Sequence, residues 1–150
     1  MSLTERIASD LINAMKAKDK VVLEAIRAAK TAFTLARTEK NGDTVLTAEE
    51  ELKIIQKLVK QRRESAAIYK EQNRLDLYEK EVTEADVLEK YLPAKMSQED
   101  LVNLVKGIIV RLGAKSPADM GKVMGIATKE LAGKADGKEI SAIVKQQLGS

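Results

Sequence analysis

Two glycines and two lysines on one short helix form the part of this chain best suited to hold another molecule. Residues 119–137 read DMGKVMGIATKELAGKADG. At roughly 100° per residue, Met120, Val123, Met124, Ala127 and Leu131 fall on one side and make a core face. Gly121, Lys122, Gly125 and Lys129 gather on the other. A glycine inside a helix costs about 1 kcal/mol relative to alanine, so two of them need a reason. One is close helix–helix packing through a small-xxx-small spacing. The other is contact with a polyanion: a phosphate backbone can approach bare main chain flanked by cations. A second cationic candidate is the set Arg27, Lys30 and Arg37, which share a helix face with Thr34 and have Glu24 as their nearest acid.

The missing residue types narrow the chemistry. Among 150 residues there is no cysteine and no histidine, which removes disulfides, thiol nucleophiles and Ser–His or Cys–His machinery. Zinc sites lacking both ligands are rare, so neither a metal nor a cofactor is expected, and no catalytic residue stands out. Carboxylates such as Asp76 and Glu79 have the spacing of ordinary helix-surface charge. The 26 basic residues exceed the 23 acidic ones only slightly, a balance compatible with RNA or with an acidic partner. Three tyrosines and one phenylalanine offer little for base stacking, so any RNA contact should be to phosphate and shape. The start MSLTERIASDL lacks the apolar stretch of a secretory signal. No run approaches the ~20 apolar residues that span a membrane, so a cytoplasmic location is expected.

The elements that must position these residues are all helical. Ala, Leu, Lys, Glu, Gln and Met dominate, and there are two prolines. Thr4 is expected to cap a first helix running to about Ala17, with Ile7, Leu11 and Met15 inward. Asp19 caps a second, to about Lys40. Its wide apolar arc (Val22, Ala25, Ile26, Ala29, Ala32, Phe33 and Ala36) predicts a central helix between two neighbours. Asn41-Gly42-Asp43 is a turn signal. Thr47 and Glu50 form a capping box for a third helix, to about Gln72, lined by Leu52, Ile55, Val59 and Ala66. Arg62 falls in that apolar stripe and Arg63 on its edge. Arg62 is therefore expected to be partly buried and paired with a carboxylate from another helix. Lys53, Lys57 and Lys60, bracketed by Glu49 and Glu64, have the pattern of a solvated, ion-paired face. A fourth, acidic helix over residues 75–90 turns Tyr78, Val82 and Leu88 inward, and Tyr91-Leu92-Pro93 stops it.

Three shorter helices follow, each with its own opening signal. Ser97 with Asp100 opens the fifth, closed by Gly113. Ser116-Pro117 with Asp119 opens the sixth, closed by Gly133. Asp136 with Glu139 opens the seventh, with Ile140, Ile143, Val144 and Leu148 inward. The expected organisation is four helices in an N-terminal region, 1–93, and a three-helix module, 96–150, near the lower size limit for folding alone.

Several strings in this order resemble the YqeY family: RRESAAIYKEQNRLDLYEKE, EKYLPAKMS, GAKSPADMGKVMG and GKADGKEIS. The last part is also similar to the tail of the B subunit of the tRNA-dependent amidotransferase. The resemblance covers nearly the whole chain and is strongest between Arg62 and Gly137. It implies an all-helical fold with a small helical tail domain, and a role in holding tRNA for an amidotransferase or a tRNA-bearing synthetase. A carbon–nitrogen ligase activity with glutamine as amide donor would follow from the family relationship alone, since the amidase loops and the phosphorylating core have no counterpart in these residues. The motif positions carried over are Asp119, Met120, Gly121, Lys122, Val123, Met124 and Gly125, then Ala135, Asp136 and Gly137. Family members often carry a larger residue where this chain has Gly125. Asp119 and Asp136 are expected to cap helices, and the methionines and Val123 to be core. Three functions stay open at this point: a tRNA-binding module without an active site, a component of the amidotransferase reaction, and a protein–protein adaptor using the acidic fourth helix.

Overall fold

The computed structural model describes residues 2–40 and 45–149, so the Asn41-Gly42-Asp43 turn signal lies outside the described residues. Among them the chain is all-α, with seven α-helices and no strand. The helices are α1 (Leu3–Ala17), α2 (Lys20–Glu39), α3 (Ala48–Glu71), α4 (Leu75–Glu89), α5 (Gln98–Leu112), α6 (Met120–Glu130) and α7 (Gly137–Gln147). Two compact units result, Met1–Leu92 with α1 to α4 and Pro93–Ser150 with α5 to α7.

In the first unit α1 is capped by Ser2, not by Thr4. The Ser2 hydroxyl accepts from the Glu5 N–H at 3.2 Å while the Glu5 carboxylate accepts from the Ser2 N–H at 3.4 Å. This reciprocal box satisfies two orphan donors. Thr4 could not build one, because Ile7 stands three residues beyond it. The Thr4 N–H and hydroxyl both donate instead to the carboxylate of Glu51 on α3, each at 2.6 Å. Ile7 is buried as expected, but Met15 is 53% exposed and Ala14 takes the inner position. Geometry explains the exchange: Ala14 lies about 20° from Ile7 around the helix, and Met15 about 80°.

Lys18, at φ 56°, ends α1, and Asp19 immediately opens α2 by accepting from the Val22 N–H at 3.3 Å. Ala25, Ile26, Ala29 and Phe33 bury α2 at the centre of the unit. It packs on α1, α4 and, to a smaller extent, α3, which is three neighbours rather than the expected two. Its small alanines let more backbone approach than the arc alone suggests.

The Thr47–Glu50 box opens α3 as expected. Asn73, at φ 57°, joins α3 to α4. There the Arg74 N–H donates to the Tyr69 carbonyl at 2.8 Å and the Asn73 N–H to that of Lys70 at 3.1 Å. These two bonds form a Schellman reversal that folds α3 and α4 into a closely packed hairpin. Leu88 is buried, while Tyr78 and Val82 are only half-buried, because Glu84 and Ala85 occupy the inner line with Leu88.

Arg62 corrects one half of its expectation, since its charge acts on Glu84 of α4 without forming an ion pair. It is half-buried but bonds the Leu58 carbonyl of its own helix at 3.3 Å, and its Nε is buried without a partner. The interhelical pairing falls to Arg63 on the stripe's edge, which reaches Asp86 at 2.7 Å and Glu89 at 2.6 Å on α4. An edge position lets a long side chain reach across to exposed carboxylates without desolvating them, which a stripe position does not.

In the second unit the Ser97 hydroxyl accepts from the Asp100 N–H at 3.1 Å to open α5. Gly113, at φ 66°, closes it with a second Schellman reversal, the Ala114 N–H donating to the Ile109 carbonyl at 3.0 Å. A single 3-10 turn, Pro117–Asp119, leads into α6. That helix ends at Glu130, three residues before Gly133. Leu131 is fully buried, so the chain turns over it instead of exposing it in another helical turn, and Gly133 supplies φ 77° within that turn. Asp136 opens α7 by accepting from the Lys138 N–H at 3.2 Å. Leu101, Val105 and Ile108 of α5 meet Val123, Ala127 and Leu131, together with Ile140, Ile143, Val144 and Leu148, in one core.

Candidate nucleic-acid interface

The face of α6 turned away from this core carries all four residues singled out on it. Gly121, Lys122, Gly125 and Lys129 are exposed, whereas Val123 and Ala127 are fully buried. Met120 and Met124 are half-buried against the core's edge rather than inside it, a correction to the expected core list. Helix periodicity accounts for this division. Val123, Ala127 and Leu131 fall on one line, and the two methionines flank it.

The two explanations for the glycines can now be separated within this unit. A Cβ built on Gly121 or on Gly125 meets no atom within 4 Å. No neighbouring helix of the unit approaches there, so close packing does not explain either residue. Each still carries its propensity cost, about 1 kcal/mol at a mid-helix position.

The lysines beside them enter no ion pair among the described residues. Lys122 and Lys129 are seven residues apart, two turns or roughly 10 Å along the axis. Neither forms an ion pair or a side-chain hydrogen bond among the described residues. Glu130, the acid adjacent to Lys129, is taken by Arg111 of α5 at 2.7 Å. Asp119 is an acid near Lys122. Its carboxylate does not cap α6 but turns back to accept from the N–H groups of Lys115 at 3.0 Å and Ser116 at 3.4 Å. The Lys115 N–H chiefly, with help from Ser116 and the charge of Lys122, holds the Asp119 carboxyl below its ordinary value of 3.8. Asp119 thus closes a capping box with Ser116 over the 3-10 turn that leads into α6, as the Ser116-Pro117 opening signal implies, and Asp136 caps α7.

Arg27, Lys30 and Arg37 are likewise exposed on α2 in the first unit. The Thr34 hydroxyl between them donates to the Lys30 carbonyl at 3.0 Å. Glu24, the acid expected to compensate them, instead pairs with Lys80 of α4 at 3.0 Å. Lys53 pairs with Glu49 at 3.0 Å, the solvated, ion-paired arrangement expected of that face. Among the described residues no cluster of three carboxylates could hold a metal ion, and no helix is long and apolar enough to cross a membrane.

Residues 4–148 match the family described as Yqey-like protein. The chain belongs to the YqeY family. A relative within reach of direct comparison is "Altered inheritance of mitochondria protein 41, mitochondrial" of Pyrenophora tritici-repentis (strain Pt-1C-BFP). The two are 30% identical over 149 residues, covering 97% of this chain and 80% of that protein. The match takes in both units, so the α6 face and the α2 face each lie within the family's span.

Two buried carboxylates escaped the sequence reading. Glu51 is 3% exposed and Glu84 7%. Both stand at stripe positions of their helices, Glu51 in line with Ile55 and Val59, Glu84 in line with Leu77 and Leu88. The periodicity argument that singled out Arg62 would have found them.

Proposed function

We propose that this chain is a tRNA-binding helical module that serves an amidotransferase-type or synthetase-type partner and has no active site of its own. The observation that carries the proposal is the open space over Gly121 and Gly125. Two helix-weakening residues on a solvent face, beside two lysines that form no ion pair, match what a phosphate backbone needs: close approach to main chain and available positive charge. The likeness of the C-terminal part to an amidotransferase tail supplies the kind of nucleic acid, and residues 96–150 act as the tail-like unit. Arg27, Lys30 and Arg37 provide a second phosphate-contacting set. The mitochondrial name of the relative makes that organelle one setting for the family.

The test is tRNA binding by the whole chain at two salt concentrations. Lys122→Glu with Lys129→Glu should abolish binding at moderate salt and leave helicity unchanged, because both side chains point away from the core. Each lost phosphate contact should lower the salt slope by about 0.7 to 0.9. Charge swaps at Lys53 and Lys57 serve as control and should weaken binding far less. No tRNA affinity in the parent at low salt, or undiminished affinity in the double variant, would refute the proposal.

A further inference from the structure

Within the first unit, α1 and α4 both pack on α2 but barely on each other, and a cleft of about 380 Å³ opens between them. Its floor is apolar, from Ala14, Val22, Ile26 and Val87. One polar bridge spans it: the Tyr91 hydroxyl donates to the Asp10 carboxylate, joining residues 81 apart in sequence. Arg6, one turn before Asp10, holds its guanidinium 4.9 Å from the centre of the Tyr91 ring. Burial, then the Asp10 carboxylate, push the Tyr91 hydroxyl far above its ordinary value of 10.0, so it remains a neutral donor and fixes the Asp10 side chain in place.

The charges around the mouth do not cancel one another. Arg6 and Lys90 are cations and Asp10 and Asp19 are anions, all lining the same cleft. Neither Arg6 nor Lys90 forms an ion pair among the described residues, although both line the cleft with two carboxylates. Asp19 is occupied as the cap of α2, and Asp10 uses one oxygen for Tyr91. Two cations and an oriented carboxylate oxygen therefore surround an apolar floor. A ligand complementary to all three has one negative group, one positive group and a short hydrocarbon body. The volume lies at the lower end of the range for small-molecule sites, roughly 300–1,000 Å³.

We infer that this cleft binds a small zwitterion with an apolar side chain, of the class of free α-amino acids. The carboxylate lies against Arg6 and Lys90, the ammonium against Asp10, and the side chain over Ala14, Val22 and Val87. The inference is independent of tRNA binding, since it uses no residue of the α6 or α2 faces.

Amide chemical shifts of the whole chain titrated with L-leucine provide the test. Saturable shifts should appear at Ala14, Ala17, Val22, Val87 and Tyr91, with a dissociation constant on the order of 1 mM for a ligand of this size. 4-Methylpentanoate, which lacks the ammonium, and 3-methylbutylamine, which lacks the carboxylate, should each bind about tenfold more weakly or worse. Ala17→Trp, at an exposed position on the cleft wall, should abolish the shifts without unfolding the chain, and Asp10→Asn should weaken leucine more than 4-methylpentanoate. Absence of saturable shifts with leucine, or equal binding of leucine and 4-methylpentanoate, would overturn the assignment.

Discussion

Gly125→Ala separates stability from binding, because the structure predicts that the two move in opposite directions. Nothing lies within 4 Å of a Cβ at this position, so the added methyl meets no clash, and Gly125 is not among the residues with positive φ. The substitution should therefore recover the mid-helix propensity difference of about 1 kcal/mol. For a chain of this size that raises the melting temperature by about 2–4 °C. Gly121 stands at the second position of an eleven-residue helix, where fraying already relaxes the backbone, so Gly121→Ala should gain about half as much. Gly113→Ala provides the opposite sign: at φ 66° a side chain is strained, and the loss should be about 1 kcal/mol or more. Thermal unfolding by circular dichroism reads all three. In a tRNA titration of the same proteins, the stabilised Gly121→Ala/Gly125→Ala variant should bind several-fold more weakly, since each methyl holds a phosphate away from the main chain. A loss of stability on Gly125→Ala would mean that the glycine meets a neighbour after all. A gain with binding unchanged would remove the glycines from the interface and leave only the lysines.

Thr4→Val deletes one of two donors to the buried Glu51 carboxylate and should destabilise the fold by about 1–3 kcal/mol, measured by urea unfolding; a change below a few tenths would show that the remaining N–H suffices. Arg63→Ala loses two partly exposed ion pairs and should cost about 1 kcal/mol, whereas Arg62→Met removes a buried unpartnered nitrogen together with the charge that opposes the burial of Glu84, and should cost less. The reverse order would restore the interhelical pairing to Arg62. Burial, opposed by the charge of Arg62, raises the Glu84 carboxyl above its ordinary value of 4.5. Because the folded state then binds the proton more tightly than the unfolded one, stability falls as pH rises from about 4.5 through the raised value. Glu84→Gln should accordingly stabilise the protein at pH 7, with the gain fading below about pH 4.5; a pH-independent difference would exclude ionisation as the cause.

Local signals were legible wherever a few neighbouring residues decide the outcome. The caps at Asp19, Thr47, Ser97 and Asp136 follow from side chains that reach only two or three residues, and the α2 arc follows from periodicity alone. The cap at Ser2 was missed because its partner, Glu5, was not weighed against the apolar residue three beyond Thr4. Glu51 and Glu84 stand at stripe positions of their helices, so the pattern holds them, but they were not singled out there. The Tyr91–Asp10 bridge had no local trace, since only the packing of α1 and α4 on α2 brings residues so distant together. The glycine face was ambiguous for a physical reason: helix packing and phosphate approach demand the same bare backbone, and only the surroundings of the missing Cβ tell them apart.

The corner at Lys18 acts as a phase lock between α1 and α2. Only Lys18 and Asp19 stand between the two helices, and the left-handed turn at Lys18 is accepted at a cost of about 1–2 kcal/mol. Substitution there should be easy; Lys18→Gly would relieve the strain. A change of length is different, because one inserted residue turns α2 by about 100° against α1. Glu24 would then fall in the slot of Ala25 and Ala32 in that of Phe33, while Val22 and Ile26 would swing off the floor beneath Asp10. Substitutions at Lys18 should be nearly silent and single-residue insertions ruinous, so the spacing between the helices, more than the identity of Lys18, holds core and cleft in register.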